Sequence, residues 1–404
     1  MAFPSPSPHR KQSPAQSTTD GEATVNPVFC GLVVSICAAT AATLPREYYC
    51  PITIQSAADF VERNGLLAGG FLQAPSSALD WCMATYNFGT AWSSISGMNL
   101  SDKRSYRGLS DSAMGVRYLA YYCMEELDYV EQQLMRRLFW LLFAGTYSAD
   151  MLGRLAIGLA TPGFETICPR PLALSDNQLD PPPRTSNASE GTTDEAPWHG
   201  DDTSYIAGLN SLSDLFGIWH EIRSETTPRR EPRESIDRYL SMVQRVIDGL
   251  PPELRWRGGL SRPPGATKGH DVQIANLFIT SLHIRSNILQ RFGVAGSYYG
   301  AEHQRIVDDL LEILYHMPQA VFEANGHSLV PKIRDIGAAY LDQFNVESGG
   351  ASTGTGTGTS TSTSNVSSHG GGRERLERLL SRLDDLDYWH GLSLEDAQPQ
   401  RVIE

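Results

Sequence analysis

Lysine is nearly absent from this chain of 404 residues, standing only at positions 11, 103, 268 and 332. The formal net charge is −13. Affinity for nucleic acid rests largely on clustered Lys and Arg that displace counterions from phosphate. The composition therefore describes a poor general phosphate binder. The chain alone is not expected to give a sequence-selective DNA shift at about 150 mM salt.

Metal-ligand spacing is missing as well. Six cysteines stand at 30, 37, 50, 82, 123 and 168, and no two are separated by the pair of residues usual in zinc knuckles and ribbons. Apolar neighbours, as in Ile36-Cys37-Ala38 and Tyr122-Cys123-Met124, point to buried free thiols in a reducing compartment. Enzyme signatures are lacking too: no G-x-x-x-x-G-K-[ST], no G-x-S-x-G and no H-E-x-x-H. The Gly-Thr run at 354–358 is a repeat within a linker. His220-Glu221 is a lone pair on a helical pattern. Trp198-His199-Gly200-Asp201-Asp202 reads as solvated loop. His283, His303 and His316 lie in helical patterns, as surface or hydrogen-bonded core residues. No catalytic, cofactor, metal or DNA-contacting residue is assigned, and the chain is not expected to be an enzyme.

One apolar run, Val28–Leu44, approaches membrane-span length. It has no adjacent basic flank of the kind a secretory signal carries. It is expected to be a buried helix, and no membrane partner is expected.

Helical periodicity is what remains. At 41% hydrophobic the chain can bury a large core, and strand-like alternation is almost absent, so the expected fold class is mainly α. Helices are expected over Ser56–Leu67 with Ser56 as N-cap, Leu79–Trp92, Ser110–Asp128, Ser204–Ser224, Ser235–Leu250, Asp271–Phe292, Ile306–Met317 and Lys332–Phe344. Trp81, Trp92, Trp140, Trp219 and Trp256 fall at helical spacings and read as core, although such a core can hold an apolar pocket. Residues 1–26 read as a disordered Ser/Pro-rich tail, 27–345 as one helical domain, and about 176–203 as a flexible loop inside it. Residues 346–372 read as a Gly/Ser/Thr linker. A C-terminal amphipathic helix (373–392) carries Leu376, Leu379, Leu380, Leu383 and Leu386, and is expected to dock back on the domain.

The segment Gln132–Arg154 stands out. Arg136-Arg137 sit on the lip of a helix that is apolar nearly all round, which places it in the centre of a helical core. The arginines then need acidic or carbonyl partners. Several pieces in order resemble the fungal-specific transcription factor domain, or middle homology region, of fungal zinc-cluster regulators. Arg136-Arg137-Leu138-Phe139-Trp140 is similar to that family's Arg-Arg-x-x-Trp helix. Leu152-Gly153-Arg154, the extended Cys168-Pro169-Arg170-Pro171-Leu172, the turn Leu250-Pro251-Pro252-Glu253-Leu254, the long helix 271–292, and Gly326-His327-Ser328-Leu329 with Lys332-Ile333-Arg334 follow. The resemblance covers about residues 27–345. Thr146-Tyr147 departs from it where the family often has an acidic-Arg pair.

The resemblance implies a nuclear transcription regulator of secondary-metabolite or nutrient-use genes. It implies other regulators or co-regulators as partners, a complete zinc-cluster member among them, and in some members a small-molecule effector. The family's six-cysteine zinc module has no counterpart here: Cys30 and Cys37 share a six-residue gap but stand in apolar sequence without basic residues. No zinc cofactor carries over, and promoter DNA is reached only indirectly. Two other readings stay open: a helical small-molecule-binding protein or enzyme with an unrecognised site, and a nonfunctional truncated regulator.

Overall fold

The computed structural model describes residues 26–43, 51–96, 102–155, 157–159, 164–179, 203–225, 231–256, 258, 263–293, 297–349 and 365–388. Among these, every regular element is helical and none is a strand. The protein is mainly α. The expected tail (apart from Asn26), the loop 180–202 and linker residues 350–364 lie outside the described residues, as does the Trp198–Asp202 cluster.

α1 (Pro27–Thr43) begins where Asn26 Oδ1 accepts the Val28 N–H at 2.9 Å. Its small residues Gly31, Ser35, Ala38 and Ala42 are buried on one side, so it lies close against α3 (Pro75–Ser96). The expectation of a buried α1 holds for that side only. Phe29, Val33 and Ile36 remain 44–49% exposed, because no element among the described residues covers their side. α2 (Pro51–Arg63) starts five residues before the expected Ser56, which is mid-helix; proline suits a first turn, where its missing N–H costs nothing. No helix among the described residues is long and apolar enough to cross a membrane.

α4 (Lys103–Tyr118) also starts earlier than its expected Ser110, capped by Asp102, whose side chain accepts the Arg104 N–H. It crosses α3 glycine against glycine. A Cβ on Gly108 would stand 2.8 Å from the Thr85 carbonyl oxygen and 3.1 Å from the Gly89 Cα. At that spacing, Ser105 and Ser112 hydroxyls donate to the Gly89 and Cys82 carbonyls, each at 2.8 Å. α4 continues into a π turn, Leu119–Cys123, and a 3-10 turn, Met124–Glu126.

α5 (Tyr129–Met151) opens on a capping box. Asp128 accepts the Glu131 N–H at 2.8 Å, and Glu131 accepts the Asp128 N–H at 2.9 Å. It closes at Leu152-Gly153-Arg154, where Gly153 takes φ 66° and the Arg154 and Gly153 N–H groups bond the Ala149 and Asp150 carbonyls. Short turns α6 (Phe164–Ile167) and α7 (Asp176–Leu179) flank the extended 168–175 segment. α8 (Ile206–Ser224) packs along α5.

α9 (Pro232–Asp248) leads into the Pro251-Pro252 turn, which buries Leu250 and Leu254, with Arg255 Nε donating to the Leu250 carbonyl at 2.7 Å. α10 (Lys268–Phe292) is the hub of this half, touching α8, α9, α11 (Ser297–His316), α12 (Gln319–Asn325) and α13 (Val330–Gly349). α14 (Asn365–Tyr388) starts inside the expected linker and lies on α11 and α13 with Leu379, Leu383 and Leu386 buried. One continuous apolar core runs from α3 to α14, and a smaller one joins α1, α2 and α3.

Candidate functional site

The Arg-Arg-x-x-Trp helix is a clamp for the extended segment after it. Trp140 is fully buried, and its indole N–H donates to the Pro169 carbonyl at 3.2 Å. Arg137 Nη1 meets Asp176 Oδ1 at 2.7 Å, and Nη2 donates to the Leu174 carbonyl at 3.1 Å. Gln133 accepts the Leu172 N–H, and Asn210 of α8 donates to the Pro171 carbonyl. Arg170 stacks over Trp140 and pairs with Asp214 at 2.6 Å. A chain with prolines at 169 and 171 makes few backbone bonds of its own, so side chains supply them. Arg137 therefore finds both the acid and the carbonyl its position demanded. Arg136 Nε is buried with no hydrogen-bond partner. Burial pushes the Cys168 thiol up to about 12, against the opposing charges of Arg136 and Arg170.

The histidines have hydrogen-bonded places. His220 Nδ1 lies 2.5 Å from the Tyr147 hydroxyl; burial lowers its pKa, against the charges of Glu165 and Glu221. Glu221 itself pairs with Arg238. His316 Nδ1 bonds the Glu312 carbonyl within its own helix, and His303 is buried. His283 is fully buried, 2.5 Å from Asp335, which Asn287 also contacts. Beside this group Lys332 is buried on α13, donating to Thr280 at 2.9 Å and reaching Asn276 at 3.4 Å. Burial brings its pKa down to about 7.

Among the described residues, no group of three or more His, Cys, Asp or Glu side chains could hold a metal ion. The described thiols are free, as expected, but not all are buried: Cys82, Cys123 and Cys168 are, whereas Cys37 is exposed on the uncovered side of α1.

A feature with room for a ligand lies elsewhere. A cleft of about 550 Å³ opens between the C-terminal half of α4 with its π turn, Phe139 of α5, and Ile157-Gly158-Leu159. Tyr106, Met114, Tyr118, Tyr121 and Tyr122 line it, all substantially exposed. Arg117 joins its two walls by donating to the Gly158 carbonyl at 2.8 Å. Tyr118 continues inward: its ring centroid lies 5.5 Å from that of Phe71, which lies 5.6 Å from Trp81. A second cleft of about 430 Å³ on the other side of α4 differs electrostatically. Its charges are already matched, since Arg107 faces Asp111 at 3.6 Å and Arg104 pairs with Asp102 while covering Trp92.

The sequence hints at the first cleft only through the tyrosines themselves. Tyr118, Tyr121 and Tyr122 share one side of a helical pattern, but tyrosine suits either the core or the surface. Packing of Leu119, Ala120 and Cys123 inward decides which side faces out. Comparison with known protein families, curated proteins and solved structures gives no match to this chain.

Proposed function

We infer that this chain is a nuclear transcription regulator of the fungal zinc-cluster class, acting through its helical body. Its targets on this reading are secondary-metabolite or nutrient-use genes. One observation carries the reading. The two segments whose wording most resembles the family, Arg136–Trp140 and Cys168–Leu172, touch each other: Trp140 holds the Pro169 carbonyl and lies under Arg170. That contact supports reading the two segments as parts of one unit. With few lysines and an acidic balance, the chain is suited to protein partners. Promoter DNA is then reached through a complete zinc-cluster regulator, and the role is not enzymatic.

The test is transcriptional. The full chain, tethered upstream of a reporter by a heterologous DNA-binding domain, changes reporter output in a fungal host. Deleting the gene alters a discrete set of transcripts. An unchanged transcript profile, together with turnover of a metabolite by the purified protein, overturns the reading. The tyrosine cleft favours one second reading, a helical small-molecule-binding protein.

A further inference from the structure

We propose that the tyrosine cleft at the π turn of α4 binds a planar fused-ring aromatic anion, carrying a carboxylate, sulfonate or ionised phenol. This is a property of the cleft and stands apart from the regulatory reading.

Size comes first. About 550 Å³ falls within the range of small-ligand sites. The lining then selects for flat rings. Tyr118 and Tyr122 have centroids 5.2 Å apart, and Tyr122 and Tyr121 4.9 Å. With Phe71 and Trp81 they form a ladder of five rings that starts in the core and ends in the open. Tyr121 and Tyr122 are 63% and 68% exposed, and Met114 beside them 52%. Large side chains gathered in one exposed place mark an interaction site, where single ones do not. A flat ligand extends the ladder in the offset or tilted geometry aromatic rings prefer.

Charge then selects for an anion. Arg117 is the only charged residue among the described residues lining the cleft, in a chain whose net charge is −13. Its bond to Gly158 fixes one arm of the guanidinium, and a fixed planar fork suits an oxyanion better than a mobile ammonium does. A further polar group lies at the same wall: Ser110 Oγ is buried and has no hydrogen-bond partner. The π turn fits the same picture. It gives up regular helix bonding, and such turns are frequent at functional sites.

The full chain is titrated with two anions, anilinonaphthalene sulfonate and naphthoate, and with the neutral N-phenyl naphthylamine. Saturable one-site binding is expected for all three. Added salt weakens the anions and leaves the neutral probe unchanged. Tyr121→Ala and Tyr122→Ala, at exposed positions, weaken every probe by about tenfold. Arg117→Met weakens the anions by about three- to tenfold and leaves the neutral probe within about twofold; Arg117→Lys restores part of the loss. Leu72→Ala, exposed but outside this cleft, changes nothing. Tyrosine variants that bind like the wild type, or anion binding insensitive to both salt and Arg117, overturn the proposal.

Discussion

The guanidinium carbon of Arg170 lies 3.4 Å from the centroid of the Trp140 ring, so an arginine from an extended segment roofs the fully buried tryptophan of α5. Asp214 of α8 fixes the other side of that arginine at 2.6 Å. Three segments far apart in sequence meet at one ring. The arginine-tryptophan motif thus works here as a joint of the fold.

Removing the ring tests the joint. Trp140→Ala is expected to cost about 3–5 kcal/mol, as for other large buried aromatics. Arg170→Met should cost about 1–2 kcal/mol. The double variant should recover on the order of 1 kcal/mol of coupling, the size of a partly desolvated cation–π pair. Urea unfolding of the four proteins measures this. A Trp140→Ala protein as stable as the wild type contradicts the burial of that residue.

Lys332 makes stability depend on pH. Its amine has a pKa near 7 in the folded protein and 10.5 when unperturbed. Below about pH 7 both states hold the proton, and the fold bears the whole cost of a buried charge. Between 7 and 10.5 only the unfolded chain holds it, so stability rises with pH across that window. The groups facing the amine are Asn276, Thr280, the Phe216 ring and neighbouring His283, whose own pKa burial lowers against its Asp335 bond. Relative to Lys332→Met, the wild type should gain on the order of 3–5 kcal/mol between pH 6 and pH 10.5. Parallel melting curves for the two proteins would contradict a buried amine.

The C-terminal helix is anchored by buried leucines and by arginines reaching α11. Leu379 fits so closely over Gly337 that a Cβ there would come within 2.9 Å of Leu379 Cδ2. Arg375 grips Asp308 with two bonds, at 2.6 and 2.9 Å. Gly337→Leu, or Leu379→Ala with Leu383→Ala, should speed hydrogen exchange in α14 by at least about tenfold while α5 stays protected. Equal exchange in α14 before and after would show that other contacts hold it.

Thiol labelling separates the cysteines. Cys37 is exposed and should react with a thiol reagent in the native protein. Cys82 and Cys168 are buried, and burial pushes both up to about 12, so neither forms thiolate near neutral pH. Cys37→Ser should lower the fast-reacting count by one, and Cys82→Ser should leave it unchanged until denaturant is added.

Periodicity and local chemistry settled much of this protein in advance. The mainly helical class follows from apolar spacing and the lack of alternation. The places of α5, α8, α9 and α10 follow from stripes of Leu, Ile, Phe and Trp that only a helix brings to one side. The Pro251-Pro252 turn and the extended 169–174 run follow from a ring that fixes φ and removes a donor.

What those signals could not decide is which side of a helix finds a partner. α1 is apolar nearly all round, yet only one side is covered, because close approach to α3 through Gly31, Ser35 and Ala38, beside Val28 and Leu32, leaves Phe29, Val33 and Ile36 outside. The start of α4 went unread because Ser105 and Gly108 are poor helix formers by themselves, and their value lies in the contact with Gly89. The tyrosine cleft and the buried Lys332 belong with these. Each depends on the residues that other helices bring alongside, and a helix's own spacing carries no record of its neighbours.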